Sequence, residues 1–366
     1  MPTAPTVAAR TGRFYGMPRR TRDKPSKAEM PIKAELRVTS YDVALRAGVS
    51  QSAVSRCFKP GASASKKMRE RVMRAARDLG YTPNAIARSL ITRRSNMIAV
   101  LVSNLTSLYY PEVLSELSAQ ASTRGVRILL FALPHESDID HDLDQVMQYQ
   151  VDGVVAAVRL SPSQIGRFER RGVPVVFFNR FLHDAPTNAV CCDQLEGART
   201  LVSRLYKAGH RRFGIIAGPQ DSVVGQERLR GSIERLRELG IDDVPVVAGN
   251  YDYESGSNGL HELMKRMRRA PQAVICANDV MAIGCIDAAR ADFALDVPGK
   301  LSVVGFDGVG PSTWASYRLT TVRQPVARMA EATIGMLMDR VENPGMPPEK
   351  RMLTGQLIEG TSARLG

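Results

Sequence analysis

Val38-Thr39-Ser40-Tyr41-Asp42-Val43-Ala44-Leu45-Arg46-Ala47-Gly48-Val49-Ser50-Gln51-Ser52-Ala53-Val54-Ser55-Arg56 spells two short helices joined by a tight turn. Thr39 and Asp42 have the spacing of a capping box. The Thr39 hydroxyl takes the amide of Asp42 and the carboxylate answers the amide of Thr39, so a helix starts there. Val43, Ala44 and Ala47 give that helix a narrow apolar face, whose small alanines let a second helix approach across the Gly48-Val49 turn. Ser50 caps the second helix. Val54 is its inward residue, which leaves Gln51, Ser52, Ser55 and Arg56 on or near the outer face. Arginine forms two bonds with guanine and glutamine two with adenine, so this short polar face suits the major groove of DNA. A third helix, capped by Ser65, carries Met68, Val72, Ala75, Ala76 and Leu79 on one stripe and closes at Gly80.

The charge distribution agrees. Residues 1–94 hold 21 Lys and Arg against 6 Asp and Glu, whereas the rest of the 366-residue chain holds 29 against 31. The whole basic excess therefore lies in the first quarter, as expected of a segment that neutralises phosphates. Residues 1–37 scatter five prolines among basic residues with no apolar period and are expected to be disordered, either as a leader or upstream of a true start at Met30. No run of 18 apolar residues exists and no secretion signal is recognisable, which predicts a cytoplasmic protein without membrane association. Cys57, Cys191, Cys192, Cys276 and Cys285 lack a Cys-x-x-Cys spacing and are expected as reduced core residues.

After Ser95 the pattern changes to short apolar strands alternating with amphipathic helices. Strands are predicted at 98–102, 126–132, 153–158, 173–178, 213–217, 273–277 and 301–305, with helices such as 111–123 between them. Near-continuous apolar runs of this kind indicate parallel strands covered on both faces, in a doubly wound α/β architecture. Such sheets bind small molecules at the carboxyl ends of their strands. The polar residues there are Asn104, Asn179, Arg180, Asn278, Asp279 and Asp307, with Tyr109, Tyr110 and Tyr251 available to cover an apolar ligand face. Asn278 and Asp279 have a second reading, as caps of a helix starting at Val280.

Val38 to Ala44, Ala47 to Ser50, Val54 to Arg56 and Leu79 to Asn84 resemble the headpiece of the lactose and galactose repressor family of bacterial transcription regulators. The resemblance implies that Gln51, Ser52 and Arg56 face base edges, with Thr39, Tyr41, Ser50 and Ser55 as further DNA contacts. Ala53 replaces a frequent threonine. Asn84 to Ile91 resembles the family's hinge helix, with Asn84 and Ala87 at the DNA and Leu90 as an apolar wedge in the minor groove, which demands a dimer on a near-palindromic operator. Gly218-Pro219, Arg228 to Gly231, Ala277 to Asp279 and Ser302 to Asp307 resemble the family's two-lobed, periplasmic-binding-protein-like core. There Arg228, Asn278 and Asp307 would touch the effector, and Asn179 stands where an aspartate is common. The implied domains are the helix-turn-helix at 38–83, hinge helix and linker at 84–95, and effector-binding and dimerisation lobes at 96–366.

The expected function is a sequence-specific DNA-binding regulator, a repressor of sugar or sugar-acid catabolic genes, acting as a homodimer without cofactor or metal. Arg228 would accept a carboxylate as readily as a hydroxyl. One alternative is a global regulator gated by a protein partner. Another class, a sugar-binding transport protein, would need a signal peptide and no basic headpiece. An enzyme is disfavoured by scattered histidines and the lack of nucleophile-elbow, zinc or phosphate-loop motifs.

Overall fold

The computed structural model describes residues 38–59, 61–83, 94–103, 105–133, 139–182 and 185–366. The expectations for residues 1–37, for residues 84–93 of the hinge and linker with Asn84, Ala87 and Leu90, and for Asn104 fall outside them. The chain divides into two compact units, one ending at Asn84 and the other starting at Ala85.

The first unit is three helices: α1 (Ser40–Ala47), α2 (Gln51–Phe58) and α3 (Lys66–Asp78). At the start of α1 the Asp42 carboxylate accepts from the Thr39 amide at 2.8 Å and from its hydroxyl at 2.7 Å. These bonds hold the Asp42 carboxyl below its usual range, the backbone bond contributing most. Gly48 ends α1 at φ +60°, a left-handed turn that a Cβ would oppose, and its amide returns to Leu45 O at 3.2 Å. Ser50 Oγ accepts from the Ala53 amide and Ser65 Oγ from that of Met68. Val43, Ala44, Ala47, Val54, Cys57, Val72, Ala75 and Ala76 bury into one small core, closed by an edge-on contact of Phe58 with Tyr81.

The second unit holds two parallel sheets. The first lobe contains β1 (Met97–Ser103), α4 (Tyr110–Thr123), β2 (Arg127–Leu133), α5 (Asp140–Gln148), β3 (Gly153–Ala157), α6 (Pro162–Glu169), β4 (Val175–Phe178) and β5 (Ala189–Cys192). The second contains α7 (Gln194–Lys207), β6 (Phe213–Ala217), α8 (Val223–Glu238), β7 (Val246–Ala248), α9 (Tyr253–Arg266), β8 (Ala273–Cys276), α10 (Asp279–Ala291), β9 (Ser302–Asp307) and β10 (Thr320–Arg323). The chain then returns through α11 (Val326–Glu342) and β11 (Lys350–Leu353) to the first sheet, and β12 (Gln356–Ile358) finishes the second. Strand orders are β11-β5-β4-β3-β1-β2 and β12-β10-β9-β8-β6-β7, and β12 alone runs antiparallel to its neighbour.

The apolar strands are covered on both faces, as their composition demands. On β1, Ile98, Val100 and Val102 enter one core while Ala99 and Leu101 enter the other. Cys192 and Cys191 divide between the same two cores, and burial pushes both thiols up to about 12. All five cysteines are buried and free. Among the described residues, no helix is long and apolar enough to cross a membrane.

The chain passes between lobes three times: after β5, after β10, and between β11 and β12. A Cβ on Gly355 would sit 2.6 Å from Val322 Cγ1 and 3.3 Å from Cys192 Sγ, so the three crossing strands lie against one another. The sequence reading did not predict β5, β7, β10, β11 or β12. Each has three or four residues, too few to establish a period.

Candidate functional site

On α2, Gln51, Ser52, Ser55 and Arg56 are exposed, while Ala53 and Cys57 join Val54 in the core. The inward face is thus wider than Val54 alone. The Ser50 and Ser52 hydroxyls lie 3.0 Å apart, and Gln51 Nε2 donates to Ser40 Oγ at 3.3 Å, which steadies the start of α2 against α1. Tyr41 is 72% exposed and Thr39 is exposed beside it. The aligned amides at the start of α2 give that end of the face a positive potential suited to phosphate. Arg69 takes no part in this surface, since its guanidinium holds Cys57 O at 2.6 Å and Ala62 O at 3.3 Å.

In the second unit the carboxyl ends of both sheets open into one cleft of about 620 Å³ between the lobes. Tyr109, Tyr110, Asn179, Arg228, Tyr251, Asn278 and Asp307 all line it. These seven come from stretches separated by up to two hundred residues of sequence. Tyr110 presents only part of its ring, because it is buried at the start of α4 with its hydroxyl on Ala157 O at 3.3 Å. The Tyr251 hydroxyl meets Ser222 Oγ at 2.8 Å. A Cβ on Gly218 would lie 2.5 Å from that hydroxyl oxygen, so the ring needs a glycine there. Asn179, Tyr251 and Asp307 have φ of +56°, +62° and +115°, left-handed conformations that cost about 1–3 kcal/mol where the residue is not glycine or asparagine.

Asn278 caps α10, which begins at Asp279: its Oδ1 accepts from the Met281 amide at 2.9 Å and its Nδ2 donates to Tyr251 O at 3.0 Å. Of the two residues that the sequence offers as caps, Asp279 is not the cap. Its carboxylate is fully buried behind the cleft, accepting from Thr321 Oγ1 at 2.6 Å and the Val309 amide at 2.9 Å. Burial, reinforced by the charge of Asp307, pushes its carboxyl up to about 8.

Arg228 is 5% exposed and bonded to the protein through each of its three nitrogens. Its Nη2 pairs with Asp307 Oδ1 at 2.7 Å, its Nε donates to Gln194 Oε1 at 2.8 Å and its Nη1 to Ala277 O at 2.5 Å, over the face of Phe306 at 3.9 Å. Arg228 also lines the cleft, so a ligand there meets a guanidinium whose charge Asp307 already balances. Burial raises the Asp307 carboxyl, and Arg228 opposes that rise.

Sequence reasoning missed Gln194 and Gln324. Gln324 Oε1 accepts from Asn179 Nδ2 at 2.8 Å and the Tyr109 hydroxyl at 3.2 Å, and its Nε2 donates to Asp307 Oδ1 at 2.8 Å. Gln194 Nε2 donates to Asn179 Oδ1 at 2.9 Å. Both glutamines follow unpredicted strands, so no strand end pointed to them. Two ion pairs also join the lobes at the rim: Arg159 with Asp221 at 3.3 Å and Arg323 with Glu112 at 2.7 Å.

Residues 39–84 match the bacterial regulatory proteins of the lacI family, and residues 202–363 match a periplasmic binding protein-like domain. The chain is 30% identical over 336 residues to the HTH-type transcriptional repressor CytR of Escherichia coli (strain K12), covering 91% of this chain and 98% of that one. Its structure is similar to that of a lac repressor dimer bound to operator and the anti-inducer ONPF, with TM-score 0.82 at 25% identity over 89% of this chain and 99% of that one. A complex of the transcriptional regulator CelR with cellobiose matches with TM-score 0.69 at 30% identity, over 89% of this chain and 100% of that one.

Proposed function

The chain belongs to the lacI family of bacterial regulatory proteins, and on that premise we propose that the exposed face of α2 reads an operator while the cleft between the lobes holds the controlling small molecule. The protein is an effector-controlled, DNA-binding transcription repressor and not an enzyme. Gln51, Ser52 and Arg56 read base edges, and Thr39, Tyr41, Ser50 and Ser55 hold the sugar-phosphate backbone around them. Asn84, Ala87 and Leu90 form the hinge, at which two copies wedge the centre of a near-palindromic site. The residue division is a headpiece at 38–83, linker at 84–95 and sensor at 96–366, in a cytoplasmic homodimer.

The observation that carries the sensor assignment is the convergence of seven polar and aromatic residues, from distant stretches, on one cleft. Amides, hydroxyls and a neutralised guanidinium-carboxylate pair suit a sugar-like ligand rich in hydroxyl groups. A sugar acid is the alternative ligand, since Arg159, Arg180 and Arg228 line the same cleft. Ligand binding changes lobe closure, and closure changes the order of the hinge on DNA, a linkage that requires only different ligand affinities in the two states.

The test is selection of duplexes from a random pool by the purified full chain, followed by binding titrations of the selected site with cellobiose, neutral monosaccharides and sugar acids. A palindromic selected site whose affinity changes with one of these ligands is the expected result. Failure to enrich any sequence overturns the DNA assignment. Indifference to all small molecules favours gating by a protein partner.

A further inference from the structure

Five side chains at the base of the cleft form a closed ring of hydrogen bonds. Arg228 Nε donates to Gln194 Oε1 at 2.8 Å, Gln194 Nε2 to Asn179 Oδ1 at 2.9 Å, and Asn179 Nδ2 to Gln324 Oε1 at 2.8 Å. Gln324 Nε2 then donates to Asp307 Oδ1 at 2.8 Å, and Arg228 Nη2 closes the circuit on the same oxygen at 2.7 Å. Every amide presents its nitrogen to the next group's oxygen. Gln324 is 2% exposed, and Gln194, Asn179 and Arg228 are 5% exposed, so water is a poor substitute for any of these partners.

The positions of the members give the ring its meaning. Asn179 follows β4 in the first lobe, whereas Arg228 and Asp307 belong to the second. Gln194 is the first residue of α7, where the chain crosses from first lobe to second, and Gln324 follows β10, where it crosses back. Two of the three crossings therefore carry a glutamine whose side chain reaches the lone first-lobe member. A rotation of one lobe against the other pulls Asn179 away from both glutamines or drags them along. Asn179 and Asp307 also face the cleft, so a ligand hydroxyl that engages either competes for atoms the ring already uses.

We propose that Gln194 and Gln324 are positioning residues that set the angle between the lobes according to whether the cleft is filled. While it is intact, the ring holds the lobes at one angle. A ligand that accepts from Asn179 or donates to Asp307 replaces ring bonds and frees the crossings to adopt another angle. The second step rests on the proposed reading of the cleft as the effector site. The first, that the ring holds the angle, does not.

The two are separated by measuring lobe distance without ligand. Cysteines introduced at Ser163 on α6 and Glu254 on α9, both exposed, take spin labels while the five native cysteines stay buried. Labelled full-length chain is diluted into unlabelled chain so that only distances within one chain are read by electron double resonance. The expected result is one narrow distance for the parent, and a longer and broader one for Gln324→Leu and for Gln194→Leu. The combined variant shows no further change, because each substitution cuts the same ring. A merely structural glutamine would lower the melting temperature and leave the distance unmoved, and that result overturns the proposal.

Should Gln324→Leu fail to fold, Gln194→Glu keeps an acceptor for Arg228 and loses the donor to Asn179, and its distance should lengthen. An unmoved distance there also overturns the proposal. An unmoved distance leaves the effector reading of the cleft standing. Shifted distances in a protein whose operator binding ignores every small molecule would instead retain the ring and refute that reading.

Discussion

Arg228→Met is the most informative single perturbation of the sensor. The guanidinium is 5% exposed and its partner carboxylate 10%, so removing it leaves Asp307 as a buried charge without its ion partner. Methionine preserves a stem over Phe306, which keeps the packing loss small. Breaking a buried pair from one side costs about 3–5 kcal/mol, or roughly two to four powers of ten in the unfolding equilibrium. For a unit of this size that corresponds to a fall in melting temperature of about 6–20 °C.

The loss should depend on pH. Burial raises the Asp307 carboxyl in the parent and Arg228 holds it down, so the variant raises it further. A carboxyl raised in the folded state above its unfolded value of about 3.9 binds more protons folded than unfolded, so stability falls as pH rises through that interval. The deficit is therefore larger at pH 7.5 than at pH 5. Urea unfolding of the full chain, followed by far-ultraviolet circular dichroism at both pH values, measures it. Arg228→Met with Asp307→Leu should cost at least about 1 kcal/mol less than the sum of the single changes. A loss under about 1 kcal/mol, no pH dependence, or strict additivity would refute the reasoning.

Three further outcomes are expected. Arg56→Ala should weaken binding to the selected operator by about 1–3 kcal/mol, roughly 5- to 150-fold, while headpiece helicity is unchanged; an undiminished affinity in a binding isotherm contradicts the reading face. Leu90→Ser should weaken operator binding without altering ligand affinity, and equal operator affinities would remove the wedge role. Asp279, raised to about 8, makes stability decline as pH rises from about 4 to about 8, and Asp279→Asn should abolish that slope; urea midpoints at pH 6 and 8 that fall equally in both proteins would show otherwise.

The headpiece was legible because its cues are local. Thr39 with Asp42, Gly48, Ser50 and Ser65 lie within a turn of the backbone groups they satisfy, and the apolar residues repeat at helical spacing. Long apolar runs likewise announced β1, β3, β6 and β8. The short strand β10 was opaque: Thr320 and Thr321 are fully buried, yet they read as polar, and the partners that satisfy them, Ser362 and Asp279, lie about 40 residues away. The cleft followed the same division. Asn179, Arg228, Asn278 and Asp307 stand at the ends of predicted strands or in recognisable motifs, but nothing near Gln194 or Gln324 in the chain shows that they meet. The pairing of Arg228 with Asp307 was hidden as well, since 79 residues separate them.

The three passages between lobes have a consequence for the order in which a ribosome delivers this molecule. The headpiece is one contiguous stretch, whereas neither sheet is complete without a strand from beyond residue 349: β11 for the first and β12 for the second. At about 5–20 residues per second, roughly 15–60 s separate emergence of the last headpiece residues from that of β12. During that interval a nascent chain carries a finished DNA-reading module tethered to an unfinished sensor. Effector control is thus acquired last in the life of each molecule.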